Sequence, residues 1–454
     1  GLSASYFHDE LIRYPQVDFV LRGDSAEPPL HQLLVTLQRR GSVAHVPNLT
    51  WKDNGEVRVN PYSFVPPSLD YVDLRPDLVA DMVMHYRDLA STLPLQRWWR
   101  NPISAVFTLK GCSHDCVTCG ASRTTCTELT RRTRPAFRSP ASLVENMKAI
   151  SRLSRAPIFL VGDVLQGGPD HAREVLERLQ HAKLDNEIAF EFLDLPPLSF
   201  IQDIDRHVDR WSMEISPDSH DHAVRRAQDG EPAYANEDME AVFSEALRLR
   251  CRRIDVFFMI GLPQQTRESV MQTVDYCERL FQLGDKRLAC FISPLGPFID
   301  PGARGFEEPE RFGYRLFART LEEHRQLLVQ PTWEHMLNYE TRWMTRRELV
   351  DATYDAAERL NEIKGRLGRI PAREARSVAA RIAAARALRA RVDANEGVPG
   401  ATLPEELAGD IRRFSESTVC DKGELFWHRH IVNFRIGELA RLALAYALRP
   451  RRSS

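Results

Sequence analysis

The sequence predicts an α/β protein: a partial (β/α)6 barrel, preceded by a fragmentary α/β segment and followed by a helical C-terminal region. Three observations carry this prediction. Between residues 101 and 305, short apolar runs alternate with helical patterns, as in parallel strands joined by crossover helices. Most of these runs end at Gly, Pro or an acidic or hydroxyl residue, the places where ligand groups gather in such folds. Beyond residue 306 the pattern is mostly helical.

The elements follow in chain order. Residues 1–75 read as the end of an α/β domain plus a β-linker. Val17 to Leu21 is a strand candidate, and Pro28 to Leu37 a helix with Leu30, Leu33, Leu34 and Leu37 on one face. Asn54-Gly55, between two alternating runs, is a hairpin signal. Residues 76–100 form a linker. In the core, Ile103 to Leu109 runs into a cysteine loop, and Ser139-Pro140 opens a helix with a cap and a first-turn proline. The remaining strands are Ile158 to Val161, Ile188 to Leu193, Trp211 to Ile215, Ile254 to Ile260 and Leu288 to Ile292. In residues 306–454, Thr345 to Glu348 is a capping box. Val378, Ile382, Ala385, Leu388 and Val392 form an apolar stripe, and Trp333 to Trp343 reads as part of the helical core.

With 61 basic and 63 acidic residues, the charge argues against a broad nucleic-acid-binding surface. The longest apolar runs are too short to span a bilayer. Eight cysteines without a dense disulfide pattern point to a reducing cytoplasm. The chain opens at Gly1, as in a processed product or a part of a longer one.

Cys112, Cys116 and Cys119 stand in KGCSHDCVTCG, a C-x3-C-x2-C triplet. Three thiolates in one loop can hold three irons of a cubane and leave the fourth open. A structural zinc site normally needs a fourth ligand, and Cys126 is the only thiol near enough to supply one. Three buried cysteines without a metal are the other alternative. This triplet resembles the signature of the radical S-adenosylmethionine (SAM) enzymes, although Thr118 stands where many members carry an aromatic residue. The stretch VDFVLRGDSAEPPLHQLL, with Gly23, Asp24 and Glu27, resembles the last strand and helix of the cobalamin-binding domain found upstream of many such enzymes. The family's cobalamin loop, D-x-H-x-x-G, is not in this sequence; Asp218-Ser219-His220 starts like it and lacks the glycine.

The resemblance implies a TIM-like partial barrel, a [4Fe-4S] cluster on the three cysteines and bound SAM, and it leaves cobalamin open. Gly162-Asp163 takes the place of the motif that meets the SAM ammonium. Glu214 and Ser216 resemble the segment that meets the ribose and the SAM carboxylate, with Arg225 the partner of the carboxylate. Gly261 resembles the motif near the adenine. The implied reaction is reductive cleavage of SAM to a 5′-deoxyadenosyl radical, then hydrogen abstraction from a small-molecule substrate and, with cobalamin, C-methylation. An external electron donor such as flavodoxin or ferredoxin is implied as well. A radical SAM enzyme that rearranges, cyclises or inserts sulfur is the first rival. A non-enzymatic electron-transfer module, closed by Cys126, is the second.

Overall fold

The computed structural model describes residues 1–88, 104–228, 234–284, 286–396, 409 and 433–448. Near the N-terminus, β1 (Phe19–Leu21), β2 (Leu49–Asp53) and β3 (Glu56–Val59) form one antiparallel sheet in that order. Asn54 and Gly55 both take positive φ, as a two-residue hairpin turn requires, and place Asp53 opposite Glu56. The βα unit and the β-linker expected as successive pieces therefore share one sheet, because β1 pairs with the first strand of the hairpin. The expected helix is Glu27–Gln38; of the four leucines expected on one face, Leu33 is buried and Leu30, Leu34 and Leu37 are exposed. Leu33 packs in a small cluster with Val43, Val46 and Leu49, the only leucine of that helix to do so.

The central sheet holds six parallel strands. β4 (Ser104–Phe107) breaks at Thr108 and is followed by β5 (Leu109–Lys110), which pairs outside this sheet with β6 (Ala136–Phe137). Then come β7 (Ile158–Val161), β8 (Ile188–Phe192), β9 (Trp211–Asp218), β10 (Ile254–Ile260) and β11 (Leu288–Pro294). Their spatial order is β11-β10-β9-β8-β7-β4, so each strand lies beside its predecessor in the sheet and the sheet stays open between its first and last members. This is the expected partial (β/α)6 barrel.

Side chains alternate between the two faces of each strand. Ile158, Leu160, Phe190, Phe192, Trp211, Met213, Ile254, Val256 and Phe258 are buried in one core with Leu143 and Met147 of helix Pro140–Leu153 and Leu176 of helix Pro169–Ala182. The expected cap is present: Ser139 accepts from the Ser142 N–H and Pro140 opens the helix. The alternate positions, including Val161, Glu191, Glu214 and Asp255, lie on the inner face.

Beyond the sixth strand the chain returns over the sheet. β12 (Tyr314–Leu316) pairs with β13 (Tyr339–Thr341). The aromatic segment expected to be helical is thus a one-turn helix, Trp333–Met336, followed by a strand, with Tyr339 fully buried. Helix Arg346–Arg366 carries the predicted capping box at Thr345 and Glu348, and Val378, Ile382, Leu388 and Val392 are buried on the next helix, Ala372–Glu396. Among the described residues no helix is long and apolar enough to cross a membrane.

Candidate functional site

The cysteine loop leaves β5 at Gly111, whose φ is +83° and where a Cβ would meet the Arg132 side chain at 2.7 Å. The loop ends at Ser122, which accepts from the Thr125 N–H and caps helix Arg123–Thr130. Val117 anchors its middle: the side chain is fully buried, its N–H donates to the Gln228 carbonyl, and its carbonyl accepts from the Gly305 N–H. On one flank the Gly120 N–H donates to Asp300 Oδ2 at 2.9 Å, and a Cβ on Gly120 would collide with that side chain. On the other, Ser113 N–H donates to Gln166 Oε1 at 3.0 Å. Asp115 accepts from the N–H and hydroxyl of Thr124 and faces Arg304; against burial, these partners hold its carboxyl below the usual range.

All three predicted cysteines are partly accessible, and none of the seven described cysteines is in a disulfide. Cys112 Sγ accepts from the His114 N–H and from Gln166 Nε2, each at 3.4 Å, and Cys119 Sγ accepts from the Ala121 N–H at 3.4 Å. Such donors stabilise charge on a ligating sulfur, so the donor set fits an iron–sulfur cluster. Burial pushes the Cys119 thiol up to about 12, with Asp300 adding to the shift, so metal binding here must release a proton. Among the described residues no three His, Cys, Asp or Glu side chains converge as a single-ion site would need; in a cubane the three thiolates would each bind a different iron and need not converge. Cys126 is buried and donates its S–H to the Ala121 carbonyl; Cys251, Cys277 and Cys290 are buried too, as expected for small apolar side chains, and Cys420 lies outside the described residues.

Of the other predicted residues, Gly162 and Asp163 follow β7 and Gly261 follows β10, while Glu214 and Ser216 lie within β9 and Arg225 on the helix His222–Ala227. Thr108, between β4 and β5, donates its hydroxyl to the carbonyls of Val161 and Gly162. Gly162, at φ +94°, donates its N–H to Glu191. Asp163 is buried and accepts from the N–H groups of Leu165 and Leu193; burial lifts it to about 6. It caps the turn Val164–Gly167, which carries Gln166 to Cys112. Glu214 and Ser216 share the inner face of β9. A bulge then shifts the register, so that Asp218 faces Phe258 with a positive φ of 62°. Gly261 has φ +105°; its N–H goes to Gln265 Oε1, its carbonyl accepts from Tyr314, and a Cβ there would lie 2.6 Å from the Tyr339 hydroxyl. Its lack of a side chain therefore admits Tyr339.

Two arrangements escaped the sequence reading. Glu191, Glu214 and Asp255 stand in register on adjacent strands, a row of three carboxylates on the inner face. Burial raises all three, and for Glu214 the neighbouring Glu191 and Asp255 add to it, lifting it to about 8; Arg253 limits Asp255 to about 6. Only strand register brings them together, so each looks in sequence like an isolated acid. The second is the surroundings of Arg225, which was predicted, though its environment was not. Arg225 is 1% exposed; its guanidinium stacks 4.8 Å from the Tyr234 ring and gives one N–H to Asn236, while Nε and Nη1 have no acceptor among the described residues. Beside it, burial lifts Asp218 to about 7, with Arg225 opposing. Two buried unsatisfied donors on a cation fit an anionic ligand.

Neither the protein-family models nor the curated proteins gave a match. Solved structures did. One is the radical S-adenosylmethionine methyltransferase TsrM from Kitasatospora setae with tryptophan substrate and the SAM analogue aza-SAM bound, 15% identical, covering 80% of this chain and 70% of that one with a TM-score of 0.57. Another is TsrM with cobalamin and a [4Fe-4S] cluster bound, 15% identical, covering 80% and 71% with a TM-score of 0.56. The chain shares their fold.

Proposed function

We propose that this chain is a radical SAM enzyme, with a [4Fe-4S] cluster held by Cys112, Cys116 and Cys119 and SAM bound at the iron they leave open. The observation that carries the reading is the position of the cysteine loop. It is hydrogen-bonded to Gln166 after β7, Gln228 after β9 and Asp300 after β11, at the sheet edge where parallel α/β folds bind ligands. A cluster bound there supplies the electron for reductive cleavage of SAM, chemistry that belongs to the cofactor.

The chain's own residues bind and orient. The two unsatisfied N–H donors of Arg225 suit the SAM carboxylate. Glu214 offers carboxyl oxygens that accept from ribose hydroxyls, with Ser216 on the same face of β9. Asp163 acts at one remove, through the turn that presents Gln166 to Cys112. The finer reading is cobalamin-dependent C-methylation of a small-molecule substrate, supported by the fold shared with TsrM. An external donor such as flavodoxin or ferredoxin would supply the electron, in a reducing cytoplasm.

The test is anaerobic reconstitution with iron and sulfide, followed by SAM, a reductant and hydroxocobalamin, with 5′-deoxyadenosine measured for wild type and Cys116→Ala. Product from wild type alone is expected. A fully loaded cluster whose EPR signal ignores SAM would sink the proposal and favour an electron-transfer module. In that case Cys126→Ala would remove the cluster's fourth ligand.

A further inference from the structure

Gln166 has no place in the reading of the cysteine triplet, yet it is tied to the triplet at both ends of its side chain. Its carbonyl oxygen accepts from the Ser113 N–H at 3.0 Å, and its amide nitrogen donates to Cys112 Sγ at 3.4 Å. A side-chain amide carries an acceptor and a donor on two separate atoms, so it can do both at once. Its own position is fixed: the turn Val164–Gly167 that carries it is capped by the buried Asp163. The N–H groups of His114 and Ala121, the other donors to these sulfurs, belong to the loop's own backbone, so Gln166 is a donor that a substitution can remove.

We propose that Gln166 is a positioning residue for the metal centre, orienting the Cys112 sulfur and raising the cluster's reduction potential through its N–H···S bond; this rests on the cluster assignment above. A hydrogen bond to a ligating sulfur stabilises the extra negative charge of the reduced cluster, and removing it favours the oxidised form. Gln166→Glu keeps an acceptor for Ser113 and loses the donor to sulfur. Gln166→Met loses both without adding charge. Asp300→Asn is the control: it alters the anchor on the opposite flank, at the Gly120 N–H, and leaves the bond to Cys112 in place.

The experiment is an EPR-monitored redox titration of each reconstituted protein, with iron and sulfide content measured first. Both Gln166 variants are expected to titrate at a lower potential than wild type, with no fall for Asp300→Asn. If Gln166→Met fails to load its cluster, the double variant Gln166→Glu/Asp300→Asn decides, because it retains the anchor to Ser113, loses the donor to sulfur and adds no net charge around the site. Wild-type potentials in the loaded Gln166 variants, or an equal fall in Asp300→Asn, would overturn the proposal. Failure of the wild type itself to load a [4Fe-4S] cluster would instead overturn the assignment on which it rests.

Discussion

Glu214 shows how strand register makes chemistry out of ordinary residues. Its carboxyl is raised to about 8 by burial, then by Glu191 and Asp255 on the flanking strands. A raised carboxyl stabilises the fold fully below its unfolded value, near 4.5, and that contribution is lost as pH rises through about 8. Glu214→Gln should therefore melt at a higher temperature than wild type at pH 9 and near the wild-type temperature at pH 5. Thermal unfolding across that range checks this, and a parallel loss in both proteins would refute it. The cysteines were legible because their spacing is a local property of one loop. The acidic row was not, since nothing in IAFEF, WSMEISPD or IDVFFMI says which residues will lie side by side. Arg225 could be proposed from the sequence only as a charge after a strand; its burial with unmet donors is a property of packing.

At the scale of elements, the strands were legible from apolar runs, and β10 falls where the sequence placed it, at Ile254–Ile260. The departures have local causes. Leu109 and Lys110 leave the main sheet to pair with Phe137 and Ala136, which divides the first strand in two at Thr108. Tyr339 lies in a strand because β12 offers it a partner and Gly261 leaves it space, a pairing across many residues that helical spacing cannot reveal. Gly261→Ala would meet both a positive φ and the Tyr339 hydroxyl, so it should cost about 2–3 kcal/mol of stability. Tyr339→Phe should restore only the part due to the hydroxyl. Denaturant unfolding of the single and double variants measures that part, and full additivity would rule out the contact.

Across the whole molecule, one apolar core runs from Val106 of the first barrel strand to Ile382 of the penultimate described helix. Helix Arg346–Arg366 contributes Leu349, Val350 and Ile363 to the same core as the strands. Ile363 is fully buried, and Ile363→Ala should cost roughly 2–5 kcal/mol although it lies far along the chain from the barrel strands. If sheet and C-terminal helices unfold together, near-UV and far-UV circular dichroism will report one shared transition, shifted as a unit by the substitution. Two separate transitions, with only one displaced, would count against a common core.

The cysteine loop is held by partners far along the chain. Gly120 meets Asp300 across 180 residues, and Asp115 meets Arg304 across 189. A ribosome adding ~5–20 residues per second takes about 10–40 s to make the first of those partners after the loop itself. Through that interval the three thiols are exposed on an unfinished scaffold, open to oxidation and to capture of the wrong metal. For the cluster proposed above, delivery of iron and sulfide is best timed after the sixth strand and its loop have closed over the site, and cells with weak iron–sulfur supply should accumulate this protein folded and empty.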